Sequence, residues 1–384
     1  MALKNETRTS YNTKTFYREY VSGMTSRQLG QEFQSDSERL KKLYSDALRE
    51  TNPNIPPAKI PVFQKFLSLL AALTKRLNPV RRLVFGVSLL SFFSHFLLSF
   101  FGIGQAFLLP VAFLALMVIL LIELLEKSDV QKELDFARDI QLSLLPPSQV
   151  KTGRLETFSF AATAQEVGGD YVDIIETEKG MYVIIADVSG KGMSAALYMV
   201  RIQALVHLLI KKLHPSPKEL FMELNDYVKS NKADKTFVTA CVAYFPKDED
   251  HFIFSRAGHN MPLVYSKQHD KTFRLDTDGF ALGMTSTAML RKKLEEKKFQ
   301  FDPGDSLLLF TDGLVELRND KQEEYGEEKL DGILSIYGSL HAKTITQKIQ
   351  SSIELFMGNQ QPLDDITFTT VHKNEPVKSL APSN

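Results

Sequence analysis

Residues 181–213 read MYVIIADVSGKGMSAALYMVRIQALVHLLIKKL. Met181–Val188 is an apolar, β-branched run that reaches an aspartate at its far end, and it reads as a buried strand. Ser189-Gly190-Lys191 interrupts it as a turn, and Gly192–Leu213, rich in Met, Leu and Ala, reads as a helix. Downstream the alternation of these two textures continues. Phe158–Thr163, Phe237–Phe245, Phe252–Ala257, Pro262–Tyr265, Phe299–Phe301, Ser306–Thr311 and Ile366–Val371 read as strands. Pro217–Asn231, Glu328–Tyr337 and Ile345–Met357 read as helices. Strands interrupted by helical pairs, without strict alternation, indicate an α+β layered domain over residues 150–373, followed by a flexible tail at 374–384. No internal repeat is visible.

Upstream the texture is different. Residues 1–82 form a polar amino-terminal region, weakly helical around Ser26–Arg49, with no apolar core of a cleavable signal peptide. Thr51–Pro61 carries four prolines and reads as an extended linker. In 62–78, Phe63, Phe66, Leu67, Leu70 and Leu73 recur at helical spacing beside Lys65, Lys75 and Arg76, which suits either a membrane-surface helix or an ordinary core-facing one. Leu83–Phe101 and Gln105–Ile122 then contain no formally charged residue. Each spans ~27–29 Å as a helix, close to the ~30 Å hydrocarbon core. With Gly102-Ile103-Gly104 between them, residues 83–122 read as a transmembrane hairpin. Arg76, Arg81 and Arg82 before it, with Lys127 and Lys132 after it, place both ends in the cytoplasm, although Glu123 and Glu126 dilute that signal. Residues 123–149 form a helical linker whose Val130, Leu134, Ala137, Gln141 and Leu144 make a short heptad seam, stopped by Pro146-Pro147. Such a stalk either pairs in a homodimer or packs on the domain that follows.

Formal net charge is zero, from 46 basic and 46 acidic residues, so nothing in the balance draws the chain to nucleic acid. The one cysteine, Cys241, lies in an apolar run and reads as a small buried hydrophobe rather than a nucleophile; no disulfide is available within the chain.

Four acidic-glycine signatures carry the chemistry: Gly168-Gly169-Asp170-Tyr171-Val172-Asp173, Asp187-Val188-Ser189-Gly190-Lys191-Gly192, Thr311-Asp312-Gly313 and Asp364-Asp365-Ile366-Thr367. Aspartates on glycine turns can converge, and converged carboxylates repel unless a cation neutralises them. An all-oxygen donor set suits Mg²⁺ or Mn²⁺ rather than zinc. A nucleotide-binding loop is excluded, because Ile185 and Gly192 stand where that motif needs Gly and Ser or Thr. No loop ends in the glutamate an EF-hand requires, and Gly168-Gly169 lacks the third glycine of a dinucleotide fingerprint.

In order and spacing these signatures, together with Ala137-Arg138-Asp139-Ile140-Gln141, Leu144-Leu145-Pro146 and Ala257-Gly258-His259-Asn260, resemble the SpoIIE/RsbU branch of the PPM-type (protein phosphatase 2C-like) phosphatases over residues 137–372. The resemblance implies a four-layer αββα sandwich with two Mn²⁺ or Mg²⁺ ions between its sheets. It implies Asp170 and Asp312 as ligands of separate metals, and Asp187 as the bridging ligand with the Val188 carbonyl beside it. Asp364 or Asp365 closes the site, Asp364 favoured as the direct ligand. Asp173 is a further candidate, for orienting a metal-bound water. His259 either positions phosphate or is a hydrogen-bonded turn histidine, and Lys191 either attracts phosphate or is a solvated loop lysine. The implied activity is a protein serine/threonine phosphatase acting on a phosphorylated regulatory protein, such as an anti-sigma factor antagonist. A catalytically inactive signalling scaffold and a hydrolase of small phosphate esters are the alternatives. Met261 stands where Pro is common in the family, and residues 1–130 match no sensor module.

Overall fold

The computed structural model describes residues 37, 41, 44–46, 61–103, 107–230, 236–358 and 360–376. Most of the helical stretch expected at Ser26–Arg49, the linker before Pro61, Gly104 of the expected turn and the tail beyond residue 376 lie outside the described residues. The chain divides into two units, Met1–Ser128 and Asp129–Asn384.

In the first unit, α1 spans Val62–Arg76 and α2 spans Pro79–Phe100. The Asn78 side chain caps α2 by accepting from Arg81 N, and Pro79 occupies the first helical position, where its missing N–H costs nothing. The next helix, α3, runs unbroken over Leu108–Leu144 and carries both the second apolar span and the stalk that continues from it. Within this unit Ser88 Oγ donates to Ala112 O at 3.0 Å, and the buried Arg81 guanidinium pairs with Glu123 at 2.8 Å and with Glu126. Among the described residues three helices are long and apolar enough to cross a membrane: α2, α3 and a later one at Met193–Leu213.

The second unit is built on two antiparallel sheets. One has the order β1-β2-β11-β10-β7-β8, with β1 Gln149–Thr152, β2 Leu155–Ala162, β7 Leu263–Ser266, β8 Lys271–Arg274, β10 Ser306–Phe310 and β11 Ile366–Lys373. The other has the order β3-β4-β5-β6-β9, with β3 Asp170–Thr177, β4 Gly180–Val188, β5 Val238–Pro246, β6 His251–Ala257 and β9 Glu296–Gln300. Strand alternation sorts the side chains into layers. On β4, Val183 and Ile185 join Phe252, Phe254, Leu307, Leu309 and Val371 in a core between the sheets. Tyr182, Ile184 and Ala186, from the opposite face, pack with helices α4 (Met193–Leu213) and α5 (Pro217–Ser230). Two short helices follow, α6 (Thr287–Lys293) and α7 (Asp312–Val315). On the outer face of the first sheet, Leu308, Phe310 and Phe368 pack with α8 (Glu327–Tyr337) and α9 (Ala342–Met357). The result is the expected four-layer αββα sandwich. Helix α4 passes the length and hydropathy test for a span, yet Met199, Ile202, Val206 and Ile210 bury its apolar face on the sheet.

Most expected elements fall within a few residues of their observed bounds; three observed strands and two short helices have no expected counterpart. These are β1, β3 and β8 with α6 and α7; the sequence expectation for Asp170 is a strand end or a turn, and it opens β3. The expected strand Phe299–Phe301 is β9 displaced toward the amino end, its polar residues being exposed on an edge strand. The stalk helix ends at Leu144, and Gln149 is already in β1, paired with Phe158.

Phe252 is fully buried and in ring contact with Phe245, Phe299 and Phe301. Phe252→Ala is expected to cost roughly 3–5 kcal/mol by leaving a cavity between the sheets, read as a lowered unfolding midpoint. A change below about 1 kcal/mol would mean this core is not where the stability lies.

Candidate metal centre

Asp170 opens β3 and Asp187 lies one residue before the end of β4, and the two are direct partners across the ladder. Ile174 on β3 and Ile185 on β4 belong to the core between the sheets, so alternation turns Asp170 and Asp187 to that same inner face. Two carboxylates are thus set side by side where the hydrophobic core gives out. From the other sheet, Thr311 follows β10 and donates its Oγ1–H to Asp170 Oδ2 at 2.8 Å, and Asp312 starts α7 immediately after it. Asp364 and Asp365 precede β11, the strand beside β10. Gly313 has to be glycine: a Cβ there would run into the Asp365 backbone.

The two final aspartates divide their work. Asp365 Oδ1 accepts from Ala164 N at 2.9 Å and its Oδ2 from Gly169 N at 2.8 Å, so both oxygens hold the loop before Asp170. Asp364 Oδ2 instead faces the Lys191 ammonium at 2.7 Å, and Lys191 also donates to Leu363 O. The Val188 carbonyl lies against Gly169, 3.0 Å from where a Cβ would stand.

The electrostatics record the crowding. Burial and the neighbouring Asp187 hold the Asp170 carboxyl well above its ordinary range. Burial pushes Asp187 up to about 7, reinforced by the charges of Asp312, Asp364 and Asp365 and opposed by Lys191. Asp312 is raised by burial and then by Asp364; Asp365 is raised by burial despite its backbone donors. Among the described residues no three His, Cys, Asp or Glu side chains close round a single point. The donor set nevertheless fits divalent cations of the hard class. It is all oxygen, it carries excess negative charge, and it is half-buried at one end of the sandwich.

Two sequence candidates lie elsewhere. Asp173 points to the opposite face of β3 from Asp170, three residues away on a period of two. There it is buried, accepting from Tyr171 OH at 2.8 Å and pairing with His207 Nε2 at 2.6 Å under α4. The structure does not bring it to the cluster, and orienting a metal-bound water is not open to it. His259 is buried behind the site, its Nδ1 sharing a hydrogen bond with Thr239 Oγ1, the partner of Asp187 on β5. Burial pushes its imidazole down to about 4, so it stays neutral as a turn histidine. Thr311 and Gln141 carry contacts to the site that the sequence reading assigns to neither. Gln141 enters the sequence analysis as a seam position and as the end of the Ala137–Gln141 signature, without a contact assigned to it; it is buried against Gly168.

The structure superposes on the SiaA PP2C domain of Pseudomonas aeruginosa with a TM-score of 0.55, at 18% identity, covering 64% of this chain and 98% of that one. It superposes on the RsbU and RsbW domains of Rv1364c from Mycobacterium tuberculosis with a TM-score of 0.51, at 20% identity, covering 60% and 63%. The domain therefore has the PP2C fold. Residues 177–374 match the family described as Stage II sporulation protein E (SpoIIE), and the chain belongs to that family. Phosphoserine phosphatase RsbU of Bacillus subtilis is 28% identical over 197 residues, 50% of this chain and 56% of that protein. Protein IcfG of Synechocystis is 24% identical over 269 residues, 63% of this chain and 42% of that protein. The chain thus spans about half the length of the curated relatives it matches.

A carboxylate with a raised folded pKa binds its proton more tightly folded than unfolded. Its contribution is complete below the ordinary carboxylate value and is lost as pH rises, through about 7 for Asp187. A bound divalent cation restores what repulsion removes. The gain in unfolding temperature on adding Mn²⁺ is therefore expected to be larger at about pH 8 than at about pH 5. Equal gains at both would show that these carboxylates do not bind the ion.

Proposed function

We propose that the chain is a membrane-associated, metal-dependent protein serine/threonine phosphatase whose catalytic domain occupies residues 150–373. The observation that carries this reading is the gathering of Asp170, Asp187, Asp312 and Asp364 from both sheets at one end of the sandwich. Asp170 and Asp312 would each hold one of two Mn²⁺ or Mg²⁺ ions. Asp187 would bridge them, with the Val188 carbonyl beside it. Asp364 would close the set, and Asp365 would keep the Gly169 loop in place. Such ions, when bound, neutralise phosphoryl oxygens and lower the pKa of an attacking water. Thr311 fixes the rotamer of Asp170 through its hydroxyl, and Lys191 presents a cation at the rim beside Asp364. Cys241 is buried and burial holds its thiol far above its ordinary range, so it is no competing nucleophile.

The substrate we infer is a phosphorylated regulatory protein, an anti-sigma factor antagonist being the kind that suits a relative named phosphoserine phosphatase RsbU. Helices α2 and α3 would cross the cytoplasmic membrane as a hairpin with the catalytic domain on the cytoplasmic side. Support comes from their exposed apolar surfaces, Phe93, Phe96, Leu97, Phe113 and Leu114 among them. The exposed Val130, Phe136 and Ile140 on the stalk support pairing with a second copy.

Full-length protein in detergent is expected to release phosphate from a phosphoserine peptide with Mn²⁺ and to stop in excess chelator. Faster turnover of small phosphate esters than of any phosphopeptide would favour a metabolite hydrolase instead. Asp187→Asn should lose at least about 100-fold in kcat, beyond the roughly 10–100-fold typical of residues that merely support a metal ligand. Lys191→Ala should lose less than about tenfold, its charge being screened at the rim. Wild-type rates for Asp187→Asn would refute the bridging role.

Carbonate and high salt should leave the full chain in the membrane fraction, and deletion of residues 83–122 should release it. Soluble full-length protein would contradict the hairpin.

A further inference from the structure

Gln141 stands out among the residues the proposed chemistry does not use. By heptad spacing it shares a seam with Val130 and Leu144, which are exposed, whereas Gln141 itself is buried. Its Nε2 donates to Gly168 O at 2.6 Å and its Oε1 accepts from Gly168 N at 3.0 Å. One amide group thus satisfies both backbone groups of one residue, as a neighbouring strand would. Glutamine suits the task because its side chain ends in a donor and an acceptor side by side. Glutamate would offer two acceptors, and leucine would leave both groups of Gly168 without partners.

Gly168 is enclosed on its other side as well. A Cβ there would strike the Asp365 carboxylate, whose Oδ2 accepts from the next residue, Gly169. The turn Gly168-Gly169 is gripped between Gln141 and Asp365, and the residue that follows is Asp170. A cavity of about 20 Å³ is lined by Gln141, Leu145, Gly168, Asp170 and Asp365 together, so stalk and carboxylates meet without an intervening layer.

We propose that Gln141 is a positioning residue for Asp170. Docked, it fixes the Gly168–Asp170 backbone in the geometry that binds the divalent ion; undocked, that run is released and affinity falls. The inference rests on the proposed metal-dependent reading.

A second contact separates this role from general anchoring. Gln203 on α4 donates through Nε2 to Leu144 O at 2.6 Å, holding the same helix end without touching Gly168. The experiment titrates Mn²⁺ into full-length protein in detergent micelles, following free Mn²⁺ by electron paramagnetic resonance, with the metal-free unfolding temperature measured in parallel. Gln141→Leu and Gln141→Glu are expected to weaken Mn²⁺ binding by at least about tenfold, the scale of groups that orient a ligand. Gln203→Leu is expected to lower the metal-free unfolding temperature while leaving Mn²⁺ affinity within about twofold, below the scale of one lost orienting contact. Wild-type affinity in either Gln141 variant that folds overturns the proposal and leaves the metal reading intact. So does an equal loss in Gln203→Leu. Wild-type protein that binds no Mn²⁺ removes the metal reading, and this proposal with it.

Discussion

Two carboxylates face each other across a strand pair at the edge of an apolar core. The Asp170–Asp187 juxtaposition is unfavourable by itself, because burial disfavours each charge and each disfavours the other. Much of the surrounding architecture can be read as a response to it. Thr311 supplies a hydroxyl donor to Asp170, and Lys191 supplies a cation at the rim. Asp365 spends both oxygens on backbone N–H groups, so it adds order to the loop at the expense of more negative charge. The arrangement is held by sheet geometry from both layers, which is why the charges do not simply move apart.

The fold was legible where burial is strong. Met181–Val188, Phe237–Phe245 and Ser306–Thr311 are covered on both sides, and their unbroken apolar runs show it. Strand β3 was not legible because Asp170 and Asp173 make it look polar, and the glycines before it look like a turn. Its two aspartates serve different faces, which a motif written as a string does not reveal but a period of two does. Short edge strands β1 and β8 have no apolar stripe to announce them. The candidate ligands were legible as acidic-glycine turns. The part played by Gln141 was not, since a seam position and a docking position have the same spacing and differ only in what lies opposite.

The amino-terminal unit shows a related economy. Arg81, the most buried charged group among the described residues there, is matched by Glu123 and Glu126 from the next helix. The acidic pair that weakens the positive-inside signal is thus a counter-ion set for one of the arginines that creates it. Counting charges along the chain treats as opposition what the hairpin uses as a bond.

Strand β11 lies between β2 and β10, buried along its whole length, with Asp364 and Asp365 just ahead of it. The middle of that sheet is filled by the residues synthesised last in the domain. Until 364–373 have cleared the ribosome, β2 and β10 lack their common neighbour, the Gly169 loop lacks its clamp and the carboxylate set is incomplete. A nascent chain whose apolar helices are already made therefore carries no assembled site. Competence arrives in one late step, as a strand from far along the chain slots between two that have been waiting for it.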